Sequence, residues 1–331
     1  MNTTRTKAFF SAAILGLLVL TALSLFVGRY PAPYWMPISR LFDDPLAQRL
    51  VLTLRLPRIL LALMLGASLA SAGAVMQMLF RNPLVEPGFL GVSQGAAFGA
   101  ALSILLIGPG SLPMNVLAIG FALLGLVASY VLARRLRFGG WVLRLVLAGI
   151  AVSALFSAGT GILKYLADPL TELPEITFWL LGGLWAGTWE DVLNVLPFVA
   201  PGLLLIYLLR WRLNLLSLAD ETAWSLGAVP ERERWWMLLG AVVATAALTA
   251  IAGIVGWIGL IVPHLARRLF GADAQLHLPG AMLIGAAFAL VCDDIARTLT
   301  AGEIPLGILT SLLGAGIFML IMTTFRVHLK R

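Results

Sequence analysis

The run Trp235-Trp-Met-Leu-Leu-Gly-Ala-Val-Val-Ala-Thr-Ala-Ala-Leu-Thr-Ala-Ile-Ala-Gly-Ile-Val-Gly-Trp-Ile-Gly-Leu-Ile-Val262 decides how many times this chain crosses a membrane. It is long for one span, since about 20 apolar residues cover the hydrocarbon layer. Gly256-Trp257-Ile258-Gly259, with Pro263 just beyond, predicts a break into one full helix and one short one.

Further apolar runs lie at Ala8 to Val27, Leu56 to Leu79, Phe89 to Ile107, Pro113 to Leu132, Trp141 to Leu163, Val192 to Leu209, Leu278 to Cys292 and Ile304 to Phe325. With the break there are ten spans. Charge bias tests that count, because Lys and Arg accumulate on the cytoplasmic side. With the N-terminus inside, Arg29, Arg40, Arg49, Arg55, Arg58, Lys164 and Arg297 fall outside, leaving 16 of the 23 basic residues, from Arg5 to Arg331, inside. The unbroken nine-span alternative gives 12 against 11, so ten is preferred. Both termini are then cytoplasmic.

Composition requires lipid as solvent. Of 331 residues, 60% are hydrophobic and 12% charged, whereas soluble domains are roughly half apolar and about a quarter charged. Long apolar runs without period-two alternation select helices over a barrel, so the fold class is all-α, polytopic, in one transmembrane domain over 1–331. The basic start before Ala8 has the form of a signal peptide, but its apolar run is span-length and no clear cleavage site follows, so it reads as a retained first helix. The net charge of +7 reads as topology and attraction to anionic lipid, not nucleic-acid binding.

Small residues at every fourth position, Gly91, Gly95 and Gly99 in one span and Gly66, Ala70 and Ala74 in another, predict close helix contacts. Ala72-Gly73-Ala74-Val75 with Pro83 also echoes Ala252-Gly253-Ile254-Val255 with Pro263, as an inverted repeat would.

No site for bond-making chemistry is visible, and no catalytic residue is assigned. Cys292 is the only cysteine, and His264, His277 and His328 are scattered, so no metal site is expected. Lys7, Lys164 and Lys330 all lack the context of a phosphate-binding loop. An ion-coupled carrier needs ionisable groups within the hydrocarbon; Asp293, Asp294 and Arg297, near one helix end, form the best cluster, with local pairing as its plain reading. A secondary transporter titrating Asp293, Asp294 and Glu303 is therefore the alternative from another class.

Several motifs resemble the FecCD family of ABC permeases over nearly the whole chain. They are Arg55-Leu-Pro-Arg58, Leu65 through Gln77, Arg81-Asn-Pro-Leu-Val-Glu-Pro-Gly-Phe-Leu-Gly91, Gly256 through Arg268, Asp293-Asp-Ile-Ala-Arg297 and Glu303-Ile-Pro-Leu-Gly307. The resemblance implies the type II ABC importer permease fold in a bacterial inner membrane, working as a homodimer or close heterodimer. It also implies two cytoplasmic ATPase subunits, which bind ATP and magnesium, and a periplasmic or lipid-anchored substrate-binding protein. No cofactor is expected in this chain. The cargo implied is an iron chelate, siderophore or haem, with cobalamin as the alternative.

By the same resemblance, Arg55, Arg58 and Arg297 receive carboxylates of the binding protein, a pairing that guanidinium chemistry favours. The family couples to its ATPase through the segment within 210–234, where Leu218, Ala223, Trp224 and Leu226 would enter an apolar groove, Asp220 and Glu221 would meet its basic rim, and Gly227 would end the turn. A cobalamin-carrying member places its cytoplasmic gate at positions matching Asn82, Leu84, Val142 and Leu143. The last two are aliphatic where that member has hydroxyls, so they would close by apolar contact. Pro174 to Trp189 is too short for a comfortable span and is expected to re-enter, with Trp179, Trp185 and Trp189 as interfacial anchors.

Overall fold

The computed structural model describes residues 3–31, 33–108 and 111–324; Arg326, His328, Lys330 and Arg331 lie outside them. The helices are α1 Thr3–Ser24, α2 Arg40–Asp43, α3 Pro45–Leu50, α4 Leu56–Phe80, α5 Val92–Leu106, α6 Ser111–Arg135, α7 Trp141–Leu166, α8 Glu172–Leu181, α9 Trp189–Leu208, α10 Arg210–Leu216, α11 Asp220–Ser225, α12 Pro230–Ala252, α13 Ile258–Phe270, α14 Ala274–Thr298 and α15 Leu306–Thr324. Among the described residues the only strands are the two-residue pair Val27–Gly28 and Tyr34–Trp35. The chain is all-α.

Among the described residues, seven helices are long and apolar enough to cross a membrane, and Ala8–Ser24 and Val92–Leu106 are shorter apolar ones. α13 is separated from α12 by the expected break. The helix that contains α4 starts earlier than its apolar run. The Asp44 side chain accepts the backbone N–H groups of Leu46 and Ala47, Pro45 takes the first turn, and one π-helical turn at Val51–Arg55 joins α3 to α4. The result is a continuous helix over Pro45–Phe80.

Lipid tails are as apolar as leucine, so helices associate in a membrane through close packing more than through the hydrophobic effect. α4 and α14 pack extensively, antiparallel, with Arg58 opposite Asp293 and Gly66 opposite Gly285. A Cβ on Gly66 would lie 2.0 Å from the Gly285 carbonyl oxygen. Gly95 and Gly99 likewise abut the Phe121 and Leu117 carbonyls of α6, and Gly125 of α6 abuts the carbonyl of Gly91. Both small-residue faces are thus helix contacts. α4 and α12 are largely enclosed, while α6, α7, α9 and α15 present apolar side chains outward.

The break at 253–257 carries two left-handed residues, Gly253 at φ +65° and Trp257 at φ +70°. Backbone that leaves the helix at membrane depth must find protein partners. At the break the Gly183 N–H donates to the Ala252 carbonyl at 2.8 Å, and in the first turn of α13, where Pro263 has no N–H to offer Gly259, Gln77 donates to the carbonyls of Gly259 and Leu260, at 3.3 and 3.0 Å. The internal echo does not mark equivalent places. Gly73 lies mid-helix in α4 against the Gly259 carbonyl, whereas Gly253 lies in the break against that of Trp179. The four-residue match does not survive as matching backbone.

Gly66→Ala is expected to destabilise the protein by about 1–3 kcal/mol through overpacking, read as a lower thermal midpoint in detergent. Gly120→Ala, where a Cβ meets nothing within 4 Å, should leave the midpoint unchanged or slightly raised.

Candidate functional site at the two ends of one helix

α4 runs from Leu56 to Phe80, about 37 Å at 1.5 Å per residue. Its head, at Leu56, and its foot, at Phe80, carry differently built sites.

At the head, Arg58 is forked between two carboxylates. Its Nε is 3.0 Å from each oxygen of Asp293 and its Nη2 2.9 Å from one of them, while Nη1 donates to Glu303 at 2.8 and 2.9 Å. Asp293 is fully buried, whereas the Glu303 side chain is 39% exposed. Arg297 donates to the backbone carbonyl and hydroxyl of Ser24 and pairs with Asp294. Arg55 donates to the carbonyl oxygens of Leu25 and Tyr30, at 2.8 and 3.2 Å. The structure therefore brings Arg55, Arg58 and Arg297 together around one cavity of about 410 Å3, shared with Arg29, Trp185 and Glu303. They are not loose surface cations, because each is anchored within the chain. Expecting only local pairing at Asp293 missed this: its main partner, Arg58, is 235 residues away. An acid set directly at the end of an apolar run was the available signal, since a charge at that depth requires a partner.

At the foot, Arg81 terminates α4 in a left-handed conformation at φ +49°, and its guanidinium donates to the Leu218 carbonyl. The segment expected to face an ATPase folds as α10, α11 and the turn after it. Leu218, Trp224 and Leu226 are exposed, as an apolar docking turn requires. Ala223 differs from expectation: it is fully buried, because α11 must turn one face inward to be held at all. Asp220 differs too, being engaged by Arg234 at 2.5 and 3.0 Å, which leaves Glu221 as the unengaged acid expected for a basic rim. Arg234 also stacks over Trp141, 4.6 Å from its ring centroid. Gly227 closes the turn at φ +81°, with the Ala228 N–H returning to the Ala223 carbonyl at 3.0 Å. α10 is tied to the start of α14, since Asn214 donates to Asp273 at 2.8 Å and accepts the Ala274 N–H at 2.9 Å. A groove of about 340 Å3 lies beside α11, lined by Tyr130, Trp141, Asp220, Trp224 and Arg234 among others.

The residues expected to form a gate fall on two elements. Asn82 accepts the Leu84 N–H at 2.9 Å and shapes the turn after α4, and the His264 Nε2 lies 2.9 Å from the Pro83 carbonyl, pinning that turn to α13. Val142 and Leu143 occupy the first turn of α7. Leu84 and Leu143 are about half exposed, at 50% and 49%. Pro174 to Trp189 holds the short α8, whose end meets the α12–α13 break. Trp179 is buried and donates to the Ala250 carbonyl, at 3.3 Å, while Trp189 donates to that of Leu52, at 2.8 Å.

Comparison with known proteins places this geometry. Residues 16–324 match the model of the FecCD transport family. The molybdate import system permease protein of Haemophilus influenzae is 41% identical over 312 residues, covering 91% of each chain. The hemin transport system permease protein of Yersinia pestis is 42% identical over 275 residues, covering 81% of each. A solved structure reported as an inward-facing conformation of a metal-chelate type ABC transporter superposes with TM-score 0.89 at 38% identity, over 96% of this chain and 99% of that one.

Asp293→Asn removes the buried carboxylate of the Arg58 fork, leaves the partly exposed Glu303 as its ion-pair partner, and should cost about 1–3 kcal/mol. The double variant Arg58→Met with Asp293→Leu should recover most of that stability in a detergent melt. At the foot, the hydrogen bond from Arg234 holds the Asp220 carboxyl below the usual range. Its stabilisation is therefore present above the unfolded value, near 4, and is lost as pH falls through the depressed one. Hydrogen exchange at 218–228 should stay slow from neutral pH to about pH 4 and quicken below; Asp220→Asn should quicken it at neutral pH.

Proposed function

The chain belongs to the FecCD transport family and is a permease of an ABC importer, and from that premise we propose that it forms half of an iron-chelate translocation pathway in a bacterial inner membrane. Two copies make the pathway, two cytoplasmic ATPase subunits bind and hydrolyse ATP with magnesium, and a substrate-binding protein delivers the cargo. The arginine-lined head of α4 faces the periplasm and receives that protein at Arg55, Arg58 and Arg297. The foot faces the cytoplasm with both termini. There Leu218, Trp224, Leu226 and Glu221 meet the ATPase, and Asn82, Leu84, Val142 and Leu143 line the gate.

The observation that carries this reading is that one enclosed helix joins a cavity lined by the buried arginines Arg55, Arg58 and Arg297 to an exposed apolar turn. A cationic cavity suits the acidic face of a soluble partner, and an apolar turn flanked by an acid suits a groove with a basic rim. Nucleotide binding moves the gate only if the closed ATPase pair prefers one permease conformation, and α10–α11, bonded to both α4 and α14, is positioned to report that preference. Molybdate is the second reading for cargo, favoured by the extent of the match to the Haemophilus influenzae permease.

Reconstituted with its ATPase and binding protein, the chain should take up a ferric chelate on addition of ATP, and competition among ferric siderophore, haem, cobalamin and molybdate identifies the cargo. Uptake driven by a sodium or pH gradient without the ATPase would overturn the reading. Trp224→Ala with Leu226→Ala should lower ATP-driven uptake at least tenfold while leaving binding-protein docking unchanged.

A further inference from the structure

The cavity at the head of α4 has a placeholder in it. Every N–H group that Arg58 turns toward an acid is in use, with Nε and Nη2 on Asp293 and Nη1 on both oxygens of Glu303. The two acids are not alike. Asp293 is sealed inside the protein, whereas Glu303 reaches Arg58 from the loop before α15 with 39% of its side chain exposed. Of the two acids, Glu303 is the one that solvent reaches, so it is the one that a carboxylate arriving from solvent can replace on Arg58.

Arg29 and Arg55 line the same cavity and are held differently. Arg55 donates to two backbone carbonyls and Arg29 to the carbonyl of Thr300. Among the described residues, the ion pairs of this cavity use Arg58 and Arg297 only. A carbonyl satisfies the donor's geometry without cancelling its charge, so Arg29 and Arg55 are the cations with capacity for a new anion. Arg29, Arg55, Arg58 and Arg297 set against Asp293, Asp294 and Glu303 leave one net positive charge.

We propose that this cavity is a carboxylate-exchange site: an Asp or Glu on the docked protein enters at Arg29 and Arg55 and displaces Glu303 from Arg58. The inference rests on the docking reading above and adds Arg29 as first contact and Glu303 as the internal competitor. Exchange is electrostatically balanced, because one partly hydrated carboxylate replaces another on the same guanidinium, while Asp293 keeps Arg58 in place. The partner is a protein side chain and not the cargo's own acid, because the cavity lies at the cationic rim, where complementary charge steers macromolecular encounter.

Displacement reaches the start of α15 and the end of α8 directly. Glu303 is followed by Ile304, whose N–H donates to Ala296 at 3.0 Å, and by Gly307, which abuts the carbonyls of Leu181 and Ile254 at the end of α8 and the α12–α13 break. Freeing Glu303 uncouples this junction from α4, so docking favours whichever arrangement of α8 and α15 leaves Glu303 off Arg58.

The test measures docking of the cargo-free binding protein encoded with this chain to the nanodisc-held permease–ATPase complex, by biolayer interferometry. Cargo-free protein ensures that no carboxylate of the cargo supplies the anion. Glu303→Gln should tighten docking about tenfold by removing the competitor. Glu303→Asp, one methylene shorter, should tighten it by a smaller factor, and it carries the test if the Gln variant does not assemble. Glu190→Gln removes the same charge from an exposed position at the start of α9 and should change docking by less than about twofold. Arg29→Gln and Arg55→Gln should each weaken it about tenfold. If Arg55→Gln weakens docking but both Glu303 variants leave it unchanged or weaken it, or if Glu190→Gln tightens it as much as Glu303→Gln, the exchange is overturned and the docking site stands. If neither Arg29→Gln nor Arg55→Gln weakens docking, the docking site itself falls.

Discussion

Two helices that touch backbone to backbone hold this molecule together. α4 and α14 meet at Gly66 and Gly285 so closely that neither position has room for a methyl group, and their antiparallel register is fixed at the head by the fork from Arg58 to Asp293. In lipid there is little hydrophobic gain from bringing two helices together, so close van der Waals contact must supply the attraction. The ion pair supplies what packing lacks, which is register: a buried guanidinium sliding one turn from its carboxylate would be left unpaired in a medium that cannot solvate it.

The second constraint is the satisfaction of backbone groups where helices are interrupted. The break after α12, the end of α8 and the start of α15 converge, and each supplies groups to the others or to α4: Gly183 to Ala252, Gly307 to Gly182, and Gln77 to the first residues of α13. A few hydrogen bonds among short non-helical segments are easier to exchange than a continuous helix is to bend. Motion in this chain is therefore expected where the ladders are broken, with α4 and α14 as the frame.

That frame links the two ends. α10 and α11 hold the foot of α4 through Arg81 and the start of α14 through Asp273, while Arg58 holds the two helices together at the head. The α10–α11 segment is thereby tied to both members of the pair, and packed, register-locked helices run from the foot to the head. A permease has no chemistry of its own to perform. It needs stiff elements between surfaces where partners bind, and soft junctions where a pathway opens.

The membrane class, the long apolar helices and the broken span were legible in the sequence because each depends on properties local to the chain: apolar length and the Gly-Trp-Ile-Gly interruption. The close contacts at Gly66, Gly95 and Gly99 were legible for the same reason, since small residues at every fourth position share one face of a helix. Only the tertiary structure decided who meets whom across the chain. Arg58 finds Asp293 and Glu303 from 235 and 245 residues away, Ala223 turns inward, Asp220 is claimed by Arg234, and Gly73 and Gly253 sit in unlike backbone despite their matching neighbours. Spacing along a sequence fixes which side chains share a face, but not the rotation of that face or the helix it packs against, and buried charges are paired by those two quantities.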